Sequence, residues 1–154
     1  MKLAGRSLTV PRFTEMWIIK TIILLALLLY ASVRDIKTRE VPDSISVLLL
    51  ILGFVDTDIE RLPSMLLGMA LVFLPQFISA LINPSKALGG ADIKITSSAA
   101  FLLGAQRGLF ALIVGLTLAV IVMPIIRKIR NLPKDQPFPL IPFLSIGIVA
   151  GYFI

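Results

Sequence analysis

Apolar stretches separated by short polar breaks run the length of the chain. They predict six helices, over residues 16–33, 44–55, 62–85, 95–106, 108–126 and 138–154. A helix that crosses a bilayer needs ~20 predominantly apolar residues. The stretch at 16–33 is interrupted only by Lys20, whose long stem can reach the near surface. It runs directly into Arg34-Asp35 with no small-residue cleavage pattern, so it reads as a helix rather than a signal peptide. The stretch at 44–55 is too short to span alone and is expected to be tilted, re-entrant or lengthened. Residues 62–85 carry no charge, and Pro75 is expected to kink them. Residues 95–106 include Thr96, Ser97 and Ser98, which suits packing inside a bundle rather than facing lipid. The expected fold is all-α, a polytopic membrane bundle of about six transmembrane helices in one domain over residues 16–154.

Composition strengthens this picture. The 154 residues are 57% hydrophobic and 16% charged, against ~45–50% and ~25% in ordinary soluble domains. There is no Cys and no His. A thiol nucleophile, a disulfide, an imidazole base and a zinc site of the usual type are thereby excluded, and no cofactor is implied. The net charge of +6 fits anchoring to the membrane lipids better than nucleic acid, because no polar segment is long enough for a nucleic-acid module. Arg34, Lys37, Arg39, Lys86, Lys94, Arg127, Lys128, Arg130 and Lys134 fall in the breaks after the first, third and fifth helices, and only Arg61 and Arg107 after the second and fourth. The positive-inside rule places the odd-numbered breaks in the cytoplasm. The basic residues 1–15, with Lys2, Arg6, Arg12 and Pro11, contradict that orientation. They form an expected leader that is not native if translation begins at Met16, which N-terminal sequencing would decide.

Most acidic residues have ordinary settings: Asp56, Asp58 and Glu60 share a polar break, Asp135 lies among cations, and Glu40 is solvated or paired with Arg39. Asp35 and Asp92 differ. The first falls at the inner end of the first helix. The second opens the fourth, straight after Gly89-Gly90-Ala91, small residues that let a backbone or substrate chain approach. Pairing of Asp35 with Lys37 or Arg39, and N-capping by Asp92, are the structural alternatives. Carboxylates near lipid are costly and point to function. Two at one boundary form a candidate aspartyl dyad. Close carboxyls share a proton and titrate together, so one can activate water while the other donates to a substrate carbonyl.

Asp35-Ile-Lys-Thr-Arg-Glu-Val-Pro42-Asp43 and Gly89-Gly90-Ala91-Asp92-Ile-Lys94 resemble the two motifs of the type IV prepilin peptidase family, intramembrane aspartyl proteases. Ile141-Pro-Phe-Leu-Ser-Ile-Gly147 is similar to that family's last helix. The resemblance implies that Asp35 and Asp92 are the catalytic pair and that no metal takes part. It also implies that the partners are type IV prepilin-like precursors, whose basic leader is removed after a Gly at the cytoplasmic face of the inner or plasma membrane. Pro42 and Asp43 match the end of the first motif and suit a helix start. Gly89 matches the leading Gly of the second, and Ala91 replaces its second Gly. Lys94 matches the motif's Lys; its alternatives are a contact to lipid phosphate, a substrate carboxylate, or an interfacial anchor. The Cys-bearing region that precedes the first Asp in bifunctional members has no counterpart ahead of Asp35, so methylation of the new terminus is not expected.

Two rivals make different predictions. A small proton- or cation-coupled transporter needs midplane polarity and repeat symmetry, whereas polarity here gathers at one boundary. A non-catalytic scaffold would tolerate Asn at either Asp35 or Asp92.

Overall fold

The computed structural model describes residues 12–55, 57–82, 89–131, 133 and 138–154. These form six α-helices: α1 Arg12–Thr38, α2 Asp43–Phe54, α3 Leu62–Ile82, α4 Gly90–Leu103, α5 Ala105–Arg130 and α6 Ile141–Phe153. A short 3-10 turn, Ile59–Arg61, leads into α3. The path runs up and down. Lys20, near the start of α1, meets Val55 at the end of α2, and Trp17 stacks on Tyr152 at the end of α6. Ser32, late in α1, meets Ser145, early in α6.

Helix α4 is the hub. It packs against α2, α3, α5 and α6, while α1 leans on α2 and α6. From Ile95 to Leu103 every α4 side chain is buried, the three hydroxyls included. A helix buried all round must supply its polar groups with partners of its own. Ser97 donates to the Ile93 carbonyl at 2.6 Å, and Thr96 to that of Asp92 at 2.7 Å. Glycines bring the helices close. A Cβ at Gly147 would strike the carbonyl oxygen of Ala111, and one at Gly108 would lie 2.8 Å from the Ala100 Cβ. The outer surface is apolar, with Leu29, Ile113 and Val120 each more than half exposed. Water would penalise such a surface, and lipid accepts it.

The expected all-α membrane bundle is therefore present, but the helices are unequal. Three stretches, Glu15–Thr38, Ile59–Ile82 and Ala105–Arg130, are long and apolar enough to cross a membrane alone. α2 and α6 are shorter apolar helices, and α4, at ~1.5 Å per residue, is ~21 Å long. The first helix runs beyond 33 to Thr38, since Arg34 and Asp35 do not break a helix; Arg39, in the left-handed region at φ 56°, does. The break expected after Gln106 lies instead at Gly104. Its φ of 84° suits glycine alone, so Gln106 and Arg107 open α5. The Lys20 ammonium donates to the Val55 carbonyl at 2.7 Å, at the end of α2, where helix carbonyls lack partners within the helix. The leader up to Pro11, residues 83–85 of the third stretch, and Asp56, Lys86, Lys134 and Asp135 lie outside the described residues.

Candidate active site

The expected pair comes together at one end of the bundle. Asp35 lies in the last turn of α1, and its side chain is buried, only 8% of the residue being exposed. Asp92 lies in the first turn of α4, outside the three spanning stretches. α1 and α4 do not pack on each other; α2 and α6 bridge them. The carboxyls are near enough to interact. Burial first, and the negative charge of Asp35 second, push Asp92 up from 3.8 to about 6, against a lowering contribution from the Gly89 N–H.

Asp35 forms no ion pair among the described residues with Lys37 or Arg39. Its Oδ2 instead accepts the backbone N–H of Ile141 at 3.0 Å. Ile141 opens α6, where N–H groups have no partner within the helix. Pro142 follows it, a residue without an N–H in a turn that needs none. Because an N–H can only donate, Oδ2 is fixed there as an acceptor. Sequence reasoning missed this contact. A main-chain donor leaves no mark of residue type, and the only signal was the helix start implied by Pro142.

Asp92 is not the N-cap of α4. Gly89 holds that position, and Asp92 stands three residues on, where its carboxylate reaches back to the Gly89 N–H. A Cβ on Gly89 would lie 3.0 Å from Asp92 Oδ2, so the missing side chain is what leaves room for the carboxylate. A Cβ on Gly90 would meet nothing within 4 Å, and Ala91 is half-buried. Of the three small residues, Gly89 alone is constrained by the acid.

Pro42 is the N-cap of α2 and Asp43 its first residue, so the expected helix start is present. Asp43 does more than begin a helix. Its Oδ2 takes the Lys94 ammonium at 2.7 Å, an exposed pair that ties the start of α2 to the start of α4. Neither lipid nor a distant anchor is needed to account for Lys94. A further support is Gln76, buried in the middle of α3, which donates to the Thr96 hydroxyl at 3.2 Å and to the Val72 carbonyl at 2.8 Å. Thr96 in turn holds the carbonyl of Asp92. A single amide deep in an otherwise apolar helix was the available signal.

An open apolar groove of about 320 Å³ lies between α1 and α6, lined by Leu25, Leu28, Leu29, Pro142, Ile146 and Val149. Ser32 and Ser145 bond to each other across it at 3.0 Å. Of its lining residues, Ser32 lies one turn before Asp35 and Pro142 follows Ile141.

Comparison with known families gives a match to the type IV leader peptidase family over residues 22–125, which covers both aspartates and more than half of the chain. Neither the curated proteins nor the solved structures gave a match.

Proposed function

Since the chain belongs to the type IV leader peptidase family and is a membrane protease of that kind, we propose that it is an aspartyl endopeptidase whose catalytic residues are Asp35 and Asp92. The observation that carries this reading is the convergence of two carboxyls at one end of the bundle, with the charge of Asp35 raising the pKa of Asp92. Such a pair holds one proton between the two groups. Asp35, steadied by the Ile141 N–H, takes a proton from water as the water oxygen attacks the scissile carbonyl carbon. Protonated Asp92 donates to the carbonyl oxygen as it gains charge. Collapse of the resulting diol returns a proton to the departing nitrogen and breaks the C–N bond.

The substrates on this reading are prepilin-like precursors, with a short basic leader followed by an apolar helix. The groove between α1 and α6 supports it, being largely apolar and lined by Ser32 and Pro142, which lie three residues from Asp35 and next to its partner Ile141 in the chain. The helix would lie against the groove and the leader would pass beyond the aspartates. A Gly at the junction would favour local unwinding, since it costs ~1 kcal/mol of helix stability relative to Ala. The carboxylate end would face the cytoplasm of the inner or plasma membrane, in keeping with Arg34, Lys37, Arg39, Lys94, Arg127, Lys128 and Arg130 at that end. The peptidase domain on this reading is residues 16–154.

The test is cleavage of a synthetic precursor, with basic leader, Gly and apolar helix, by the purified protein in detergent. Wild type is expected to cut at the junction. Asp35→Asn and Asp92→Asn are expected to lose the activity while keeping a cooperative thermal transition. An intact precursor with wild type, or cleavage by either folded variant at the wild-type rate, would overturn the reading.

A further inference from the structure

The apolar surface of the bundle is not equally tall on all sides. α3 carries no charge over its 21 residues, ~32 Å at ~1.5 Å per residue, and turns Leu66, Leu74, Phe77 and Leu81 outward. α2 has 12 residues, ~18 Å. It too faces outward, through Val47, Leu48, Ile51 and Phe54. Exposed charges close α2 at both ends, with Asp43 and Lys94 at the aspartate end and Asp58, Glu60 and Arg61 at the other. Against a hydrocarbon core of ~30 Å, α3 is long enough and α2 falls short by ~12 Å.

The register of α5 against α6 places the mismatch at the aspartate end. Gly151 lies against Arg107, Gly147 against Ala111, and Gly115 against Leu144, so the two helices run antiparallel almost residue for residue. Carried on to Ile141, which holds Asp35, that register meets α5 near Ala119, the last buried residue of that helix. α5 continues beyond it. Val120, Ile121 and Ile125 are exposed and apolar, and the first cation after them is Arg127. Eight positions separate Ala119 from Arg127, or ~12 Å of helix. On α5, then, the apolar surface runs past the level of the aspartates. Beside α2 it stops at that level, at the exposed Lys94–Asp43 pair.

No flat bilayer suits both sides. A surface level with Arg127 would sink the exposed ion pair in hydrocarbon, where charges are costly. A surface level with the ion pair would leave the apolar end of α5 in water. Lipid resolves the conflict by thinning beside the short helix. We propose that the bundle holds the bilayer thin beside α2 and at full depth beside α3 and α5, so that headgroups and water descend to the level of Asp35 and Asp92. The thinning follows from helix lengths and register and stands without the peptidase reading. Its use, the supply of water to a hydrolytic pair, rests on that reading.

The chain has no Cys, so a single introduced Cys carries a single nitroxide label. The full chain in phosphatidylcholine vesicles, without substrate, is tested with Ser44→Cys at the start of α2 and Ile121→Cys just past Ala119, both exposed sites. Collisions with oxygen mark lipid, and collisions with a water-soluble nickel chelate mark water. Ile121→Cys is expected to give the higher oxygen-to-nickel ratio, close to that of Ile113→Cys at mid-helix. Ser44→Cys is expected to read as water, although along the bundle axis it lies nearer the middle. Glu40→Cys and Val120→Cys, at neighbouring exposed sites, repeat the comparison where either variant loses the wild-type thermal midpoint. A ratio at Ser44→Cys equal to or above that at Ile121→Cys would overturn the proposal, whether both sites lie in lipid or both in water. The labels are read without cleavage, so this proposal and the peptidase reading fail separately.

Discussion

At one end of the bundle the first turns of α2, α4 and α6 gather around Asp35 and Asp92; at the other, Lys20, Arg61 and Arg107 gather beside Trp17 and Tyr152. The acids are buried or partly buried, with main-chain N–H groups as their partners. The cations line a cavity, and two of them, Lys20 and Arg107, donate to main-chain oxygens of Val55 and Ile154. Near the aspartates Lys94 is engaged by Asp43 and, among the described residues, salt-bridges neither carboxyl. A carboxyl salt-bridged to Lys would be held ionised and could not donate.

Removing either acid should have the largest effect. Asp35→Asn and Asp92→Asn are each expected to lower cleavage of a synthetic precursor by more than about 10²-fold, while the cooperative thermal transition is kept. Next is the packing that joins the two ends. Gly147→Ala forces a methyl into the Ala111 carbonyl and is expected to cost about 1–3 kcal/mol, read as a lower thermal midpoint in detergent. A smaller effect has the opposite sign. Because the pKa of Asp92 is raised from 3.8 to about 6, the folded state binds that proton more tightly than the unfolded chain. Its contribution to stability is full below about 3.8 and is lost as pH rises through about 6. Asp92→Asn should therefore leave stability unchanged in acid and raise it by ~2 kcal/mol at neutral pH and above, seen as a pH-dependent difference in midpoint. The smallest effect belongs to the exposed pair. Lys94→Asp or Asp43→Lys alone should cost less than about 1 kcal/mol and slow cleavage a few-fold; the two together should restore the rate, since the tie between α2 and α4 is re-formed with its charges exchanged.

The two ends also differ in how far they could be read from the sequence. Asp35 and Asp92 announce themselves, because each stands where an apolar stretch ends or begins, and a carboxyl near lipid has few ordinary uses. The six helices follow from the same text. What escapes is whatever depends on the main chain or on pairing at a distance. The Ile141 N–H that orients Asp35 belongs to no side chain. Lys94 and Asp43 meet only because α2 and α4 start at the same end. The Gly104 break was masked by Gln106-Arg107-Gly108, a polar break with its own glycine, while the residue that turns the chain lies in an apolar run. Lys20, Arg61 and Arg107 come from three separate elements, and single cations near lipid look alike until the fold brings them together.

The central claim is that Asp35 and Asp92 form one proton-sharing unit. It is tested most directly by following the Asp92 carboxyl carbon by 13C NMR across a pH titration, in wild type and in Asp35→Asn. Wild type should titrate near the value of about 6, and loss of the Asp35 charge should lower that midpoint clearly, leaving only the part due to burial. An Asp92 midpoint unmoved by Asp35→Asn would contradict the account.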